Sequence, residues 1–155
     1  LCKPPDFGAV LHSLEVLTAG DVLVIAAQGW SEHAMIGDIL GDYLRSKGIA
    51  GVVCDGAVRD TSTLAQWTDF PVFTRHITPR GPVGGEQGEV NAKVSVGNVP
   101  VNVGDWIFGD ADGLVVLSSE EMKSLIDAAE TRLEKETNWQ KQLQSGISPS
   151  KVFDL

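Results

Sequence analysis

The stretch DVLVIAAQGWSEHAMIGDILGDYLRSKGIAGVVCDGAVRD, residues 21–60, decides the fold. Val22 to Ala27 is a continuous apolar run of strand length, the pattern of a strand buried on both faces. Gly29 to Gly37 reads as a polar, glycine-bounded loop containing Trp30, Ser31, Glu32 and His33. From Asp38 to Lys47 the apolar positions Ile39, Leu40, Tyr43 and Leu44 form one helical stripe. Gly48 stops that helix, and Arg45 and Lys47 place cations in its last turn, where the helix dipole favours them. Ile49 to Cys54 is a second buried strand, which Asp55-Gly56 closes. Strand, loop, helix and strand make a βαβ unit, with parallel strands and a right-handed crossover.

Upstream, Val10, Leu11, Leu14 and Leu17 recur at helical spacing, and Ala19-Gly20-Asp21 is a turn. Downstream, a short turn or helix around Thr63 to Trp67 leads to a third strand, Pro71 to Thr74. Thr78 to Gly88 is rich in Pro and Gly and predicts a loop. The period then changes: Val94, Val96, Val99, Val101 and Val103 come in near alternation. Trp106 to Phe108 and Leu114 to Leu117 predict two strands around the turn Asp110-Ala111-Asp112-Gly113, so this half reads as antiparallel β. Ser118 or Ser119 caps a last helix with Glu120 and Glu121 in its first turn. That helix runs to about Gln144, where Gly146 ends it. The sum is one α/β domain over residues 1–155: a βαβ unit, a β-rich half and a long C-terminal helix.

Composition narrows the function classes. The chain has 155 residues, 43% of them hydrophobic, enough for a core without disulfides or a structural metal. Its 21 acidic and 12 basic residues give a net charge of −9, which argues against a nucleic-acid surface. No apolar stretch approaches membrane-spanning length. Cys2 and Cys54 form no disulfide framework, and a reducing, cytoplasmic compartment is the expectation. Leu1 to Asp6 reads like the inside of a longer protein.

Asp38, Arg59 and Asp60 are the candidate site. Asp38 opens the helix of the βαβ unit, and Arg59-Asp60 follows its second strand, so both lie at the carboxyl end of the sheet, where α/β proteins place ligands. The first turn, Gly37, Asp38, Ile39 and Leu40, offers free N–H groups to an anion. An arginine facing a helix N-terminus clamps a carboxylate, and two carboxylates supply hard oxygen donors for a magnesium-like ion. Taken singly, an Arg-Asp dipeptide is ordinarily a solvated turn and an Asp at a helix start a cap. Their placement on one βαβ unit sets them apart. His12, His33 and His76 show no ligand spacing, and Asp110 with Asp112 is most simply a turn former.

Asp38 and Arg59 are separated by twenty residues, 39 through 58, and Asp60 follows at once. This D-x20-R-D pattern resembles the signature of the 4-hydroxy-4-methyl-2-oxoglutarate aldolases, the RraA-like family. Ala19 to Ile25, Ala34 to Asp38, Gly51 to Asp60, Pro71-Val72-Phe73, Thr78 to Pro82 and Gly104 to Gly113 are similar to the same family. The resemblance implies a swivelling β/β/α-type domain, assembled as a homotrimer or homohexamer with sites between subunits. It implies retro-aldol cleavage of a 4-hydroxy-2-oxo diacid to pyruvate, with oxaloacetate decarboxylation as companion. Asp60 would then be the protein ligand of Mg2+ or Mn2+, and Asp38 would hold metal-bound water. Arg59 would face the carbonyl and enolate of the pyruvyl unit, and the backbone of Gly37, Asp38, Ile39 and Leu40 would hold its carboxylate. The family also lends a glutamate from the neighbour's C-terminal helix, which points to Glu136, with Glu134 close behind. The resemblance thus implies a small 2-oxo acid as substrate, and the expectation is that neither nucleic acid nor membrane is a partner.

Members of the family carry a further N-terminal segment before the region that matches Leu1 to Asp6, and the expectation is a chain without it, as a fragment or with that first layer lost; His76 also stands where Gly is more familiar. Some members are non-catalytic regulators that bind an endoribonuclease, generally without the full D-x20-R-D set. That is the alternative reading, with an idle scaffold beside it. A methyltransferase reading lacks a glycine-rich cofactor loop here.

Overall fold

The computed structural model describes residues 1–155. It divides into two compact units, Leu1–Val103 and Gly104–Leu155.

In the first unit, helix α1 (Gly8–Ser13) precedes strand β1 (Val22–Ile36), helix α2 (Asp38–Ser46), strand β2 (Gly51–Val58), the short helix α3 (Thr61–Leu64) and strand β3 (Val72–Ile77). The three strands form a parallel sheet in the order β1-β2-β3. A two-stranded antiparallel ribbon, β4 (Val94–Val96) with β5 (Val99–Val101), completes the unit. All eight residues of β2 are buried, because it is the middle strand and both its faces are covered. Val10, Ile25, Met35, Leu44, Val52, Val58 and Phe70 are among the largest fully buried side chains of the core cluster. Gly48 leaves α2 at φ +76°, a left-handed conformation that costs glycine little. Cys2 and Cys54 are both buried free thiols, as small apolar side chains would be.

Three sequence expectations change in this unit. The predicted loop from Gly29 to Gly37 is extended backbone belonging to β1, although irregular. Gln28 and Gly29 take φ +54° and +73° and kink the strand. The register then slips between Ala26 and Trp30, between Trp30 and Ala34, and again before Ile36. Polar residues arch away while Ala34, Met35 and Ile36 return to the core, which their burial stabilises. Second, β2 does not close at Asp55-Gly56 but continues to Val58. A buried Asp inside a strand needs a partner, and Arg75 of β3 supplies one: its Nη1 lies 2.9 Å from Asp55 Oδ1. Third, the helix near the start is α1, Gly8–Ser13, earlier than the Val10–Leu17 spacing suggested. Asp6 fixes its start by accepting the N–H groups of Gly8 (2.7 Å), Gln87 (3.0 Å) and Glu86 (3.3 Å). The last two lie in the loop beyond β3, so no local pattern announces them.

In the second unit, β6 (Trp106–Gly109) and β7 (Leu114–Leu117) form the expected antiparallel hairpin. Asp110 makes the turn: its Oδ1 accepts from Asp112 N–H (2.8 Å) and Gly113 N–H (3.3 Å). Helix α4 spans Ser119–Gln144 and begins with a full capping box. Ser118 Oγ accepts from Glu121 N–H (3.2 Å), and Glu121 Oε2 accepts from Ser118 N–H (2.8 Å). Near its far end, Trp139 meets the cations of Arg132 and Lys135 and the Phe153 ring, just past the short helix α5 (Pro149–Val152). No helix of the chain is long and apolar enough to cross a membrane.

Candidate functional site at the carboxyl edge of the sheet

The carboxyl ends of β1 and β2 bring Gly37, Asp38, Arg59 and Asp60 together. Ile36 ends β1 and its carbonyl accepts the Arg59 N–H at 3.0 Å, so the end of β1 and the residue just past β2 share one hydrogen bond. Gly37 is the N-cap of α2 and offers no side chain to it. The Asp60 carboxylate does that work from across the site: its Oδ2 accepts the Asp38 N–H at 3.2 Å. The same oxygen lies 3.3 Å from Arg59 Nε, with the two side chains 37% and 35% exposed. Asp60 sits at φ +57°, in the left-handed region that Asp tolerates better than most residues. That turn lets one residue serve two helices, because its carbonyl also accepts the N–H groups of Thr63 and Leu64 and opens α3.

Gly37 permits this close approach. A Cβ there would collide with Asp60 Oδ2 and stand 2.8 Å from Arg59 Cγ and 2.9 Å from Arg59 Nε. Gly81 does the same on the other side, where a Cβ would lie 2.7 Å from Arg59 Nη1. The Arg59 side chain therefore passes between two glycine backbones. The loop carrying Gly81 is pinned at three points: Thr78 N–H to Val58 O (3.1 Å), Ala34 N–H to Arg80 O (2.8 Å) and Val83 N–H to Pro5 O (2.9 Å). Ile39, 74% exposed, leaves the first turn of α2 open.

The structure thus gathers Gly37, Asp38, Ile39, Leu40, Arg59 and Asp60, as the two motifs suggested. One detail differs: the Asp38 N–H, expected among the donors for a substrate carboxylate, already donates to Asp60. Glu136 lies in the second unit, on α4, where Arg132 Nε holds its Oε1 at 2.6 Å; Glu134 lies on the same helix. Trp30 and His33 stack on the arch of β1, with Trp30 Nε1–H donating to His33 Nδ1 at 3.3 Å. Nδ1 being the acceptor, the neutral ring carries its proton on Nε2. The role of the loop from Thr78 to Val83 was missed: its Pro and Gly content marked only a loop.

The donor set bears on a metal. No group of three His, Cys, Asp or Glu side chains gathers anywhere in the chain. A zinc-type cage is therefore not offered within one chain, whereas Mg2+ and Mn2+ accept one or two carboxylates with the remaining positions filled by water and substrate. Asp60, with Asp38 beside it, fits that second type.

Fold and site together define a class: a parallel α/β unit that gathers a helix N-terminus, a guanidinium and carboxylates at the carboxyl edge of its sheet. The chain belongs to the RraA-like family (Aldolase/RraA), whose model matches residues 1–116. It is 36% identical over 124 residues to a Halalkalibacterium halodurans protein named "Putative 4-hydroxy-4-methyl-2-oxoglutarate aldolase", covering 80% of this chain and 59% of that one. The chain thus spans less than two thirds of that relative's length. Among solved structures it is similar to the RNA-processing inhibitor RraA from Thermus thermophilis, with 34% identity, TM-score 0.67, and 73% and 68% of the two chains covered. Streptomyces coelicolor RraAS2, described as an unusual member of the RNase ES inhibitor RraA protein family, gives 29% identity and TM-score 0.73 over 85% and 67%. The mixed α/β fold read from the sequence is the fold of these proteins.

Proposed function

We propose that this protein is a divalent-metal-dependent lyase that cleaves 4-hydroxy-2-oxo diacids, of the 4-hydroxy-4-methyl-2-oxoglutarate type, to pyruvate, with oxaloacetate decarboxylation as a companion activity. The observation that carries this reading is the convergence of Arg59, Asp60 and the first turn of α2 at one sheet edge. The aldolase-named relative supports it.

Retro-aldol cleavage breaks the C3–C4 bond, leaving its electron pair on pyruvate as an enolate while the 4-hydroxyl loses its proton and becomes a carbonyl. Asp60 would hold Mg2+ or Mn2+, which when bound would supply Lewis-acid charge for the developing oxyanion. Arg59, held between Gly37 and Gly81, adds a second fixed positive charge beside that oxygen. The N–H groups of Ile39 and Leu40 and the positive end of α2 take the pyruvyl carboxylate. Asp38 would hold water at the edge of the site, which takes the proton from the 4-hydroxyl and returns one to C3 of the enolate, completing pyruvate. No Schiff-base lysine is required.

In this reading the protein works as a homotrimer or a pair of trimers, with Glu136 of one copy completing the site of the next. Reaching it requires Glu136 to leave its pairing with Arg132. A second reading, a non-catalytic regulator of ribonuclease activity, has the likeness to the Thermus thermophilis inhibitor in its favour.

Purified protein mixed with oxaloacetate and Mg2+ is expected to form pyruvate, and to stop on adding EDTA or with Asp60→Ala. A folded protein that turns over neither oxaloacetate nor 4-hydroxy-4-methyl-2-oxoglutarate refutes the lyase and leaves the regulator standing.

A further inference from the structure

The chain has five arginines, and four of them are paired with carboxylates: Arg45 with Asp69 and Asp42, Arg59 with Asp60, Arg75 with Asp55, and Arg132 with Glu136. Arg80 alone enters no salt bridge. In a chain of net charge −9, an exposed guanidinium without a carboxylate is the exception. Its position is not that of a loose surface residue either. The Arg80 carbonyl is held by the Ala34 N–H at 2.8 Å, two residues before β1 ends at the site. Two residues earlier, the Thr78 N–H bonds to Val58 O, the carbonyl directly before Arg59. The next residue, Gly81, lies against the Arg59 guanidinium so closely that a Cβ would stand 2.7 Å from Nη1. Pro79 and Pro82 stiffen the segment on both sides. The backbone that carries Arg80 is thereby fixed beside the Arg59 guanidinium, which is paired, whereas Arg80 has no carboxylate from the protein.

We infer that Arg80 is a specificity-determining residue: it takes the second, distal carboxylate of a dicarboxylic 2-oxo substrate, while Arg59 and α2 hold the pyruvyl half. This rests on the 2-oxo acid reading of the site. The chemistry distinguishes three kinds of substrate. A 4-hydroxy-2-oxo diacid keeps its distal carboxylate through C3–C4 cleavage, so a guanidinium on it stabilises ground state and transition state alike and acts through KM. Oxaloacetate loses that carboxylate as CO2, so the same contact gives it less help in kcat. A monocarboxylic 4-hydroxy-2-oxo acid has nothing for Arg80 to hold.

The test compares wild type, Arg80→Ala and Arg80→Lys with Mg2+ on 4-hydroxy-4-methyl-2-oxoglutarate and on 4-hydroxy-2-oxopentanoate. A charge-assisted contact is worth about 10- to 100-fold. Arg80→Ala is therefore expected to lower kcat/KM for the diacid about 10- to 100-fold, mostly through KM, and to leave the monoacid and inhibition by pyruvate unchanged. Arg80→Lys recovers part of the loss. Equal losses on both substrates, or none on either, overturn the assignment while leaving the lyase intact. Calorimetric titration with 2-oxoglutarate and with pyruvate reads the same discrimination without turnover. A wild-type protein that binds both equally, or binds neither, removes the assignment as well. A wild type that prefers 2-oxoglutarate, loses the preference in Arg80→Ala and yet cleaves nothing keeps the assignment and removes the lyase.

Discussion

Replacing Gly37 by alanine disturbs the site while sparing the fold. Gly37 has φ −144°, ordinary extended backbone, so a side chain adds no backbone strain and the effect is one of space alone. The new methyl group would collide with Asp60 Oδ2 and stand 2.8 Å from Arg59 Cγ and 2.9 Å from Nε. Ordinary carbon contacts begin near 3.5 Å, so Arg59 must retreat by about 0.6 Å and Asp60 further. Displacements on the order of 1 Å cost about 100-fold in rate, or about 2.7 kcal/mol of barrier. Stability suffers less. Alanine caps a helix worse than glycine by about 0.5–1 kcal/mol, and loss of the Asp38–Asp60 hydrogen bond adds about 1 kcal/mol. At about 2–4 °C of Tm per kcal/mol for a chain of this size, melting drops by about 3–8 °C. Pyruvate release and thermal melting of the same sample separate the two effects. Wild-type kcat/KM in Gly37→Ala would show that the Arg59–Asp60 geometry does not carry the chemistry.

Ser118→Ala removes the capping box of α4 and is expected to cost about 1 kcal/mol, read as a Tm about 2–4 °C lower, with activity unchanged at temperatures well below melting. Burial pushes the Cys54 thiol up to about 12, so it should react with 5,5′-dithiobis(2-nitrobenzoate) at pH 8 only after unfolding; prompt labelling of the native protein contradicts its placement. Because that thiol binds its proton more tightly when folded, the stability it contributes is present below pH 9 and is lost as pH climbs towards 12. The Asp6 and Glu121 carboxyls are held below their ordinary range, Asp6 chiefly by the Gly8 N–H and Glu121 chiefly by the Ser118 hydroxyl. Their contributions are therefore present above the ordinary carboxylate range and lost as pH falls through the lowered values, which Asp6→Asn should blunt in an acid-melting series.

The elements that the sequence announces are those whose cause is local. The stripe of Ile39, Leu40, Tyr43 and Leu44, stopped by Gly48, needs nothing beyond its own periodicity to specify α2. The same holds for the Ser118–Glu121 capping box and the Asp110 turn, whose hydrogen bonds span three residues or fewer. The D-x20-R-D spacing, placed on a βαβ unit, was enough to bring Asp38 and Asp60 to one sheet edge. Tertiary structure decided what depends on distant partners. β2 runs on through Asp55 because Arg75, twenty residues later, meets its charge. β1 arches and returns because Ala34, Met35 and Ile36 gain more from the core than the kink at Gln28 and Gly29 costs. Above all, the carboxylate that caps α2 comes from Asp60, and the backbone that flanks Arg59 comes from Gly37 and Gly81. A sequence displays which residues carry charge and which lack a side chain. Only the folded chain puts a glycine where a guanidinium has to pass.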